Sequence, residues 1–162
     1  MRESATINAS SAASRATSRA ELRLWLMRLL ALAGIGVSGY LTWAHLAGQS
    51  VVCGPSHSCD TVQQSVYSEV AGIPVALFGL LAYLAIFVLT LLRGHVSEDL
   101  ESYIPLALFG ISLVGVLYSA YLTYLELFVI YAICWWCVSS AIMITVIFLL
   151  SLPDLKVGAD LG

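Results

Sequence analysis

The chain has 162 residues, of which 60% are hydrophobic and only 10% are charged, and its formal net charge is −3. This composition is too apolar for a soluble domain of this length and is typical of an integral membrane protein. The small negative net charge argues against a nucleic-acid partner.

Four stretches are long and apolar enough to cross a bilayer, since a spanning helix needs about 20 residues. We predict transmembrane helices near residues 26–46, 73–92, 103–124 and 131–152. The alternating runs of a transmembrane β-barrel are absent from the sequence. The predicted fold class is therefore an all-α integral membrane protein, with a four-transmembrane-helix bundle as one membrane domain over residues 23–153.

The two ends of the chain differ from this domain. Residues 1–22 are rich in serine and alanine and are predicted to be a disordered tail, and residues 154–162 form a second short tail. All Lys and Arg residues fall on one side of the four spans, whereas segments 47–72 and 125–130 contain none. By the positive-inside rule, both tails are cytoplasmic and the protein is a multi-pass protein of the plasma or inner membrane.

The first extracytoplasmic loop contains the sequence VVCGPSHSCDTV, with Cys53 and Cys59 around a Gly-Pro turn. After it, Val62, Val66 and Val70 recur at every fourth position, which predicts a short amphipathic helix lying across the mouth of the bundle. That helix is either a lid over a site inside the bundle or simply an interfacial helix.

The start of the last helix carries the second cysteine pair, Cys134 and Cys137, in the sequence AICWWCVSSA. Backbone N–H groups at a helix start favour a thiolate, which is the reactive form in disulfide exchange. Four cysteines allow three pairings, and the short spacings favour Cys53 with Cys59 and Cys134 with Cys137.

Glu126 falls near an outward helix end. An interfacial position there is enough to account for a charged residue.

Other functions are less consistent with this pattern. Static disulfides in a structural or assembly subunit remain the alternative, although a Cys-X-X-Cys loop is too small to stabilise much by entropy. A Cys₄ zinc site would usually repeat the two-residue spacing, and the first pair has five intervening residues. Transport is disfavoured because no ionisable residue lies at mid-membrane. Gly115, Ser119 and Thr123, four apart, indicate a helix-packing seam.

The combined motifs resemble the vitamin K epoxide reductase family in its bacterial four-helix form. They are C-x5-C-D-T-V-x2-S from Cys53 to Ser65, GIPVALFGLLAYL from Gly72, and YLTYLEL followed by C-W-W-C from Tyr121 to Cys137. The match covers residues from about 25 to 150, and the combination is far more specific than a lone Cys-X-X-Cys.

The resemblance implies a thiol oxidoreductase that forms disulfides outside the cytoplasm and passes the electrons to a membrane quinone, ubiquinone or menaquinone. It implies that Cys59 accepts electrons from a thioredoxin-like partner and that Cys53 passes them to Cys134. It further implies that Cys137 lies next to the quinone and that the hydroxyl of Ser65 lines the quinone pocket.

Two departures from the family pattern bear on the substrate and the partner. Many bacterial members carry a thioredoxin-like domain fused after the last helix, whereas this sequence has only ten residues after Leu152. We therefore expect the thioredoxin-like partner to be a separate extracytoplasmic protein. Position 141 is alanine where vertebrate members have tyrosine. This weakens the further expectation that the protein reduces vitamin K quinone or its epoxide.

Overall fold

A computed structural model describes the backbone of residues 2–53 and 58–159, and the side chains of residues 17–53, 59–97 and 101–154. The elements follow in chain order: α1 (Arg2–Leu46), α2 (Ser58–Gln63), a 3₁₀ turn (Val66–Ser68), β1 (Glu69–Val70), β2 (Ile73–Pro74), α3 (Val75–Leu92), α4 (Glu98–Leu125), a π-helical turn (Glu126–Ile130) and α5 (Trp135–Ala159). β1 and β2 form a small antiparallel hairpin that leads into α3.

Four segments within the described residues have the length and apolar composition of membrane spans. They are Thr17–Leu46, Val75–Leu92, Glu101–Ile130 and Trp135–Asp154. Many of their large apolar side chains are exposed on the outer surface of the bundle, such as Leu81, Val114 and Leu149. Such a surface suits lipid rather than water. The predicted four-helix membrane bundle is therefore confirmed, and the protein is a multi-pass membrane protein.

The helices pack as two tight pairs, α1 with α3 and α4 with α5. Contacts of α1 with α5 and of α3 with α4 join the two pairs into one bundle. Ile86, Leu108 and Ile147 are at most 1% exposed and form the centre of one apolar core. Gly115 permits the close approach of α4 and α5, because a Cβ there would lie 2.7 Å from the Ile144 side chain. This contact confirms the predicted packing role of Gly115.

Charged side chains join three helices at one end of the bundle, which we call the arginine end. Asp154 of α5 pairs with Arg23 of α1 at 3.6 Å and with Arg93, just after α3, at 2.5 Å. Arg28 donates to the backbone carbonyl of Thr90 at 2.7 Å. The opposite end, which carries the cysteine pairs, we call the cysteine end.

The tails differ from the sequence prediction. The backbone is helical from Arg2, whereas residues 1–22 are predicted to be disordered. Residues 2–22 contain no glycine or proline and several alanines, so they carry no helix-breaking signal before the first span. The predicted tail at 154–162 likewise begins inside α5, which continues to Ala159.

The short helix of the first loop exists, but it does not carry the predicted valine stripe. α2 has only six residues. Val62 within it is buried, whereas Val66 is 84% exposed and Val70 lies in β1. The Ser65 hydroxyl donates to the Val62 carbonyl at 2.7 Å, a local bond of the kind that competes with continued helix. The prediction of one continuous amphipathic helix through Val62, Val66 and Val70 is therefore wrong.

Candidate functional site

The first cysteine pair forms a disulfide between the loop after α1 and the start of α2. Cys53 and Cys59 are bonded, with their Cα atoms 5.7 Å apart. Cys59 is completely buried, whereas Cys53 is partly exposed. This disulfide is one of the two short pairs that the spacing favours. An aqueous partner reaches Cys59 only if the segment around it opens.

Three side chains hold the segment that leads to Cys53 against the bundle. The indole Nε1 of Trp136 donates to the Val52 carbonyl at 2.9 Å. The Val52 N–H donates to the hydroxyl of Tyr40 at 3.2 Å, and the Val51 N–H donates to Asp60 Oδ1 at 2.9 Å. The rings of Tyr40 and Trp136 also pack together, with centroids 5.4 Å apart. Trp136 therefore ties the first cysteine segment to the helix that carries the second pair.

The second pair lies at the start of α5, as predicted. The Cys134 carbonyl accepts the N–H of Val138 at 2.9 Å, and its Sγ accepts the N–H of Cys137 at 3.3 Å, so Cys134 is the N-cap residue. The thiol of Cys137 donates to Cys134 Sγ across 2.7 Å. These two thiols are not bonded to each other in the structure.

The hydrogen bond from the Cys137 thiol, followed by the backbone N–H of Cys137, lowers the pKa of the Cys134 thiol. Burial and the nearby Glu126 carboxylate oppose this shift. The net result favours a Cys134 thiolate that is hydrogen-bonded to a Cys137 thiol. A thiolate next to a second thiol is the reactive arrangement of a dithiol oxidoreductase.

Glu126 is a residue of the site that sequence reasoning did not place there. It begins the π-helical turn that follows α4 and is only 4% exposed. Its Oε2 accepts the N–H of Cys134 at 3.1 Å, and its side chain also hydrogen-bonds the Cys137 side chain. The chain then turns back through Tyr131, which has a left-handed φ of 55°. Glu126 lies near the end of its helix as expected, but this turn buries the carboxylate under the dithiol instead of leaving it exposed.

A mostly apolar cavity lies between the four helices beside Cys137. This main cavity has a volume of about 120 Å³ and is lined by residues from every span, among them Leu41, Ala76, Leu122, Cys137 and Ile144. Polar atoms enter its wall from Gln63, Ser119, Thr123 and Glu126. A predominantly apolar cavity with a few polar groups suits a small apolar ring with polar substituents.

The residues that line this cavity bear on two expectations from the sequence. Ala141 lines it, so the methyl side chain leaves space where a tyrosine would project a ring. Ser119 and Thr123 also line it, which adds a site role to two positions that the sequence analysis assigned to helix packing. Tyr83 provides a phenol in the same wall and donates to the Ser140 carbonyl at 2.8 Å.

Ser65 lies beside the site rather than in the main cavity. It lines a small cavity of about 40 Å³, together with Gln63, Glu126 and Cys137. It also lines an outer cavity of about 730 Å³, whose wall includes the hydrogen-bonded side chains of His45 and Glu69. The small cavity thus lies between Cys137 and the larger, polar outer cavity.

The structure brings both cysteine pairs into one apolar cluster at the cysteine end. Cys59 and Cys134 are fully buried in it, and Cys53 and Cys137 pack against it. A disulfide and a dithiol in one cluster can exchange electrons through mixed disulfides. The fold and the site together define a membrane-embedded thiol oxidoreductase.

The comparison with protein families agrees with this class. Residues 25–152 match the model of the vitamin K epoxide reductase family, which covers most of the chain. The chain belongs to this family and is an oxidoreductase that acts on thiols and disulfides.

Proposed function

We propose that the protein forms disulfides outside the cytoplasm. Cys53 and Cys59 take electrons from a separate thioredoxin-like protein, Cys134 and Cys137 receive them, and a membrane quinone, ubiquinone or menaquinone, accepts them. The observation that carries this proposal is the position of Cys137, which lines an apolar cavity inside the bundle while its partner Cys134 shares a buried cluster with Cys59.

Charge supports the orientation. Arg23, Arg28 and Arg93 lie at the arginine end of the bundle, and both cysteine pairs lie at the opposite end. Positively charged ends of membrane proteins face the cytoplasm. The cysteine end then faces the oxidising compartment, where disulfides persist.

The residues around the main cavity fit a quinone head group. The volume of the main cavity, about 120 Å³, is similar to the roughly 150 Å³ of an apolar cavity that holds one benzene ring. Gln63 and Ser119 offer donors for the carbonyl oxygens, whereas the Thr123 hydroxyl donates to the Ser119 carbonyl at 2.9 Å, and Cys137 would supply the redox contact. A bound quinone supplies a two-electron acceptor that is soluble in the bilayer. Ser65, in the adjoining small cavity, stays a predicted quinone residue.

The chain's own chemistry is disulfide exchange. A reduced partner attacks the Cys53–Cys59 disulfide at Cys59, and its second thiol resolves the mixed disulfide, leaving the loop pair reduced. Cys53 then attacks a Cys134–Cys137 disulfide at Cys134, and Cys59 resolves that bond. The products are a Cys53–Cys59 disulfide and a Cys134/Cys137 dithiol, the same two states that the structure contains.

Trapping of the partner tests the first step. Cys53→Ala prevents the loop disulfide from reforming, so we expect a mixed disulfide between Cys59 and a thioredoxin-like protein. Mass spectrometry of the membrane fraction identifies the cysteine involved, and Cys59→Ala is the matched control that should trap nothing through this loop. Trapping through Cys134 would contradict the assignment. Unchanged oxidising activity in a Cys134→Ala variant would instead favour static, structural disulfides.

A further inference from the structure

The redox step requires the proton of the Cys137 thiol to leave its sulfur. Cys134 Sγ accepts the Cys137 N–H at 3.3 Å and the Cys137 thiol at 2.7 Å, so these bonds favour the thiolate at Cys134 and leave the proton on Cys137. Formation of the Cys134–Cys137 disulfide breaks that S–H bond. A base beside Cys137 would carry this proton on toward the electron acceptor, since a quinone takes up two protons with its two electrons.

We propose that Glu126 is the proton acceptor of this dithiol. In the step, Cys134 S⁻ and Cys137 S–H become one S–S bond, two electrons leave to the acceptor, and the proton of Cys137 moves to the Glu126 carboxylate and on to the acceptor, which takes its second proton from water. The inference deepens the proposed function, because it takes the quinone named above as the electron acceptor. It adds a residue that contacts the reacting sulfur.

The contacts of Glu126 support this role. Its carboxylate is buried, hydrogen-bonds the Cys137 side chain, and is fixed by the Cys134 N–H at 3.1 Å. Gln63 also approaches, with Nε2 3.8 Å from Cys137 Sγ, but an amide is a donor here and takes up no proton. Glu126 and Cys137 also line both the main cavity and the small cavity, so the carboxylate and the reacting sulfur border the same spaces.

A route for protons joins Glu126 to the surface at the cysteine end. Glu126 and Cys137 line the small cavity, whose volume of about 40 Å³ exceeds the roughly 15 Å³ needed for one water molecule. Gln63 and Ser65 line both this cavity and the outer cavity. Water in the small cavity can then bring the second proton from the polar outer cavity to Glu126, which also lines the main cavity.

The other titratable groups near the cluster have bonds of their own. Tyr83 bonds Ser140, Asp60 accepts the Val51 N–H, the Tyr40 hydroxyl accepts the Val52 N–H, and His45 pairs with Glu69. Tyr118 lines the main cavity and packs against Tyr121. Among the described side chains, Glu126 is the carboxylate that hydrogen-bonds Cys137.

A structural role for Glu126 predicts something different. Its bond to the Cys134 N–H secures the start of α5, and a glutamine oxygen can accept the same bond. Glu126→Gln therefore keeps the hydrogen bond to the Cys134 N–H but removes the group that can take up a proton. Glu126→Asp keeps a carboxylate that can act as the base. Glu101→Gln is the matched control, because Glu101 lies near the start of α4, the helix that leads to Glu126, about 38 Å away along the axis.

The first measurement is made on full-length protein purified in detergent and freed of quinone. The Cys134/Cys137 dithiol is equilibrated with dithiothreitol redox buffers over a range of pH, and the protons released per disulfide are derived from the pH dependence of the equilibrium constant. Wild type, Glu126→Asp and Glu101→Gln should show an additional redox-linked titration that Glu126→Gln lacks. Identical pH curves for wild type and Glu126→Gln would overturn the proposal, and this result does not depend on quinone chemistry.

The second measurement is the rate of disulfide formation when the reduced protein meets a soluble quinone. We expect Glu126→Gln to be about a hundredfold slower, within the range of general acid–base catalysis. Its rate should also lose the decrease at low pH that protonation of a base causes. A rate within threefold of wild type, with the same pH profile, would overturn the proposal.

If Glu126→Gln fails to fold, wild-type protein still decides the question. Infrared difference spectra between the oxidised and reduced dithiol detect a carboxyl group that changes protonation or hydrogen bonding, and ¹³C-labelled glutamate assigns the band to that residue type. A glutamate band that changes with the redox state supports the proposal. Spectra without any glutamate band overturn it.

Discussion

The bond between Trp136 and the first loop predicts how readily the buried Cys59 becomes accessible. In Trp136→Phe the aromatic ring remains to pack against Tyr40, but the 2.9 Å hydrogen bond to the Val52 carbonyl is lost. Val52 is 74% exposed, so water solvates the freed carbonyl and the loss is about 1 kcal/mol, the net value of one hydrogen bond. That energy corresponds to about a fivefold larger population of the open segment.

Glutathione provides the assay. It can attack the Cys53–Cys59 disulfide at the partly exposed Cys53 without opening, whereas attack at the buried Cys59 requires the segment to open. After quenching with a maleimide, mass spectrometry gives the ratio of glutathione bound to Cys59 and to Cys53. We expect this ratio to rise about fivefold in Trp136→Phe.

Trp135→Phe is the matched control, since Trp135 is 64% exposed and lies next to Trp136 in the chain. The ratio should stay at the wild-type value in this variant. An unchanged ratio in Trp136→Phe, or an equal rise in both variants, would refute the idea that the indole bond holds Cys59 in its buried position.

Three further predictions follow from the site and the fold. Ala141→Leu fills part of the main cavity, so the KM for a soluble quinone should rise at least tenfold while thiol exchange with glutathione stays unchanged. Asp154→Asn leaves Arg23 and Arg93 without their counter-charge and should destabilise the protein by about 2 kcal/mol, measured by thermal unfolding in detergent. In reduced protein, the ultraviolet absorbance of one thiolate should persist below the ordinary cysteine pKa of about 8.5 and vanish in Cys134→Ser, because the Cys134 pKa is lowered. The stability that this thiolate contributes is accordingly present above that ordinary value and is lost as the pH falls through the lowered pKa. A thiolate signal that disappears near pH 8.5 would contradict the hydrogen-bonded pair.

The spans and the cysteine positions could be predicted because their signals are local. Hydropathy over about 20 residues determines whether a helix can cross the bilayer. The Cys-X-X-Cys spacing places Cys134 and Cys137 within one helical turn. The segment 125–130 before them, which contains no Lys or Arg, connects two spans. None of these features depends on how the helices pack.

Glu126 could not be placed in the same way. Its role depends on the π-helical turn and on the reversal at Tyr131, which bring its carboxylate to a cysteine eight residues later. One signal was present in the sequence: Glu126 is an acidic residue in the otherwise uncharged stretch from Ser102 to Pro153. An ionisable residue in such a stretch is a functional candidate by default.

The valine stripe failed for a related reason. The spacing of Val62, Val66 and Val70 satisfies a helical period, but serine side chains bond the backbone of the same segment and a hairpin follows. Over so short a segment, local turn formation overrides periodicity. Because of this turn, Ser65 lines the small cavity beside Cys137 and not the main cavity.

The most direct test of the account follows quinone and thiols together. Protein purified in detergent is reduced, kept anaerobic and mixed with a soluble quinone, while quinone absorbance and free thiols are recorded for wild type and Cys137→Ser. We expect one quinone to be consumed for every two thiols lost, as a two-electron transfer requires, and no consumption in Cys137→Ser. Thiols that stay reduced, with no quinone turnover even in native lipid, would contradict the proposed path of electrons through the Cys134/Cys137 dithiol.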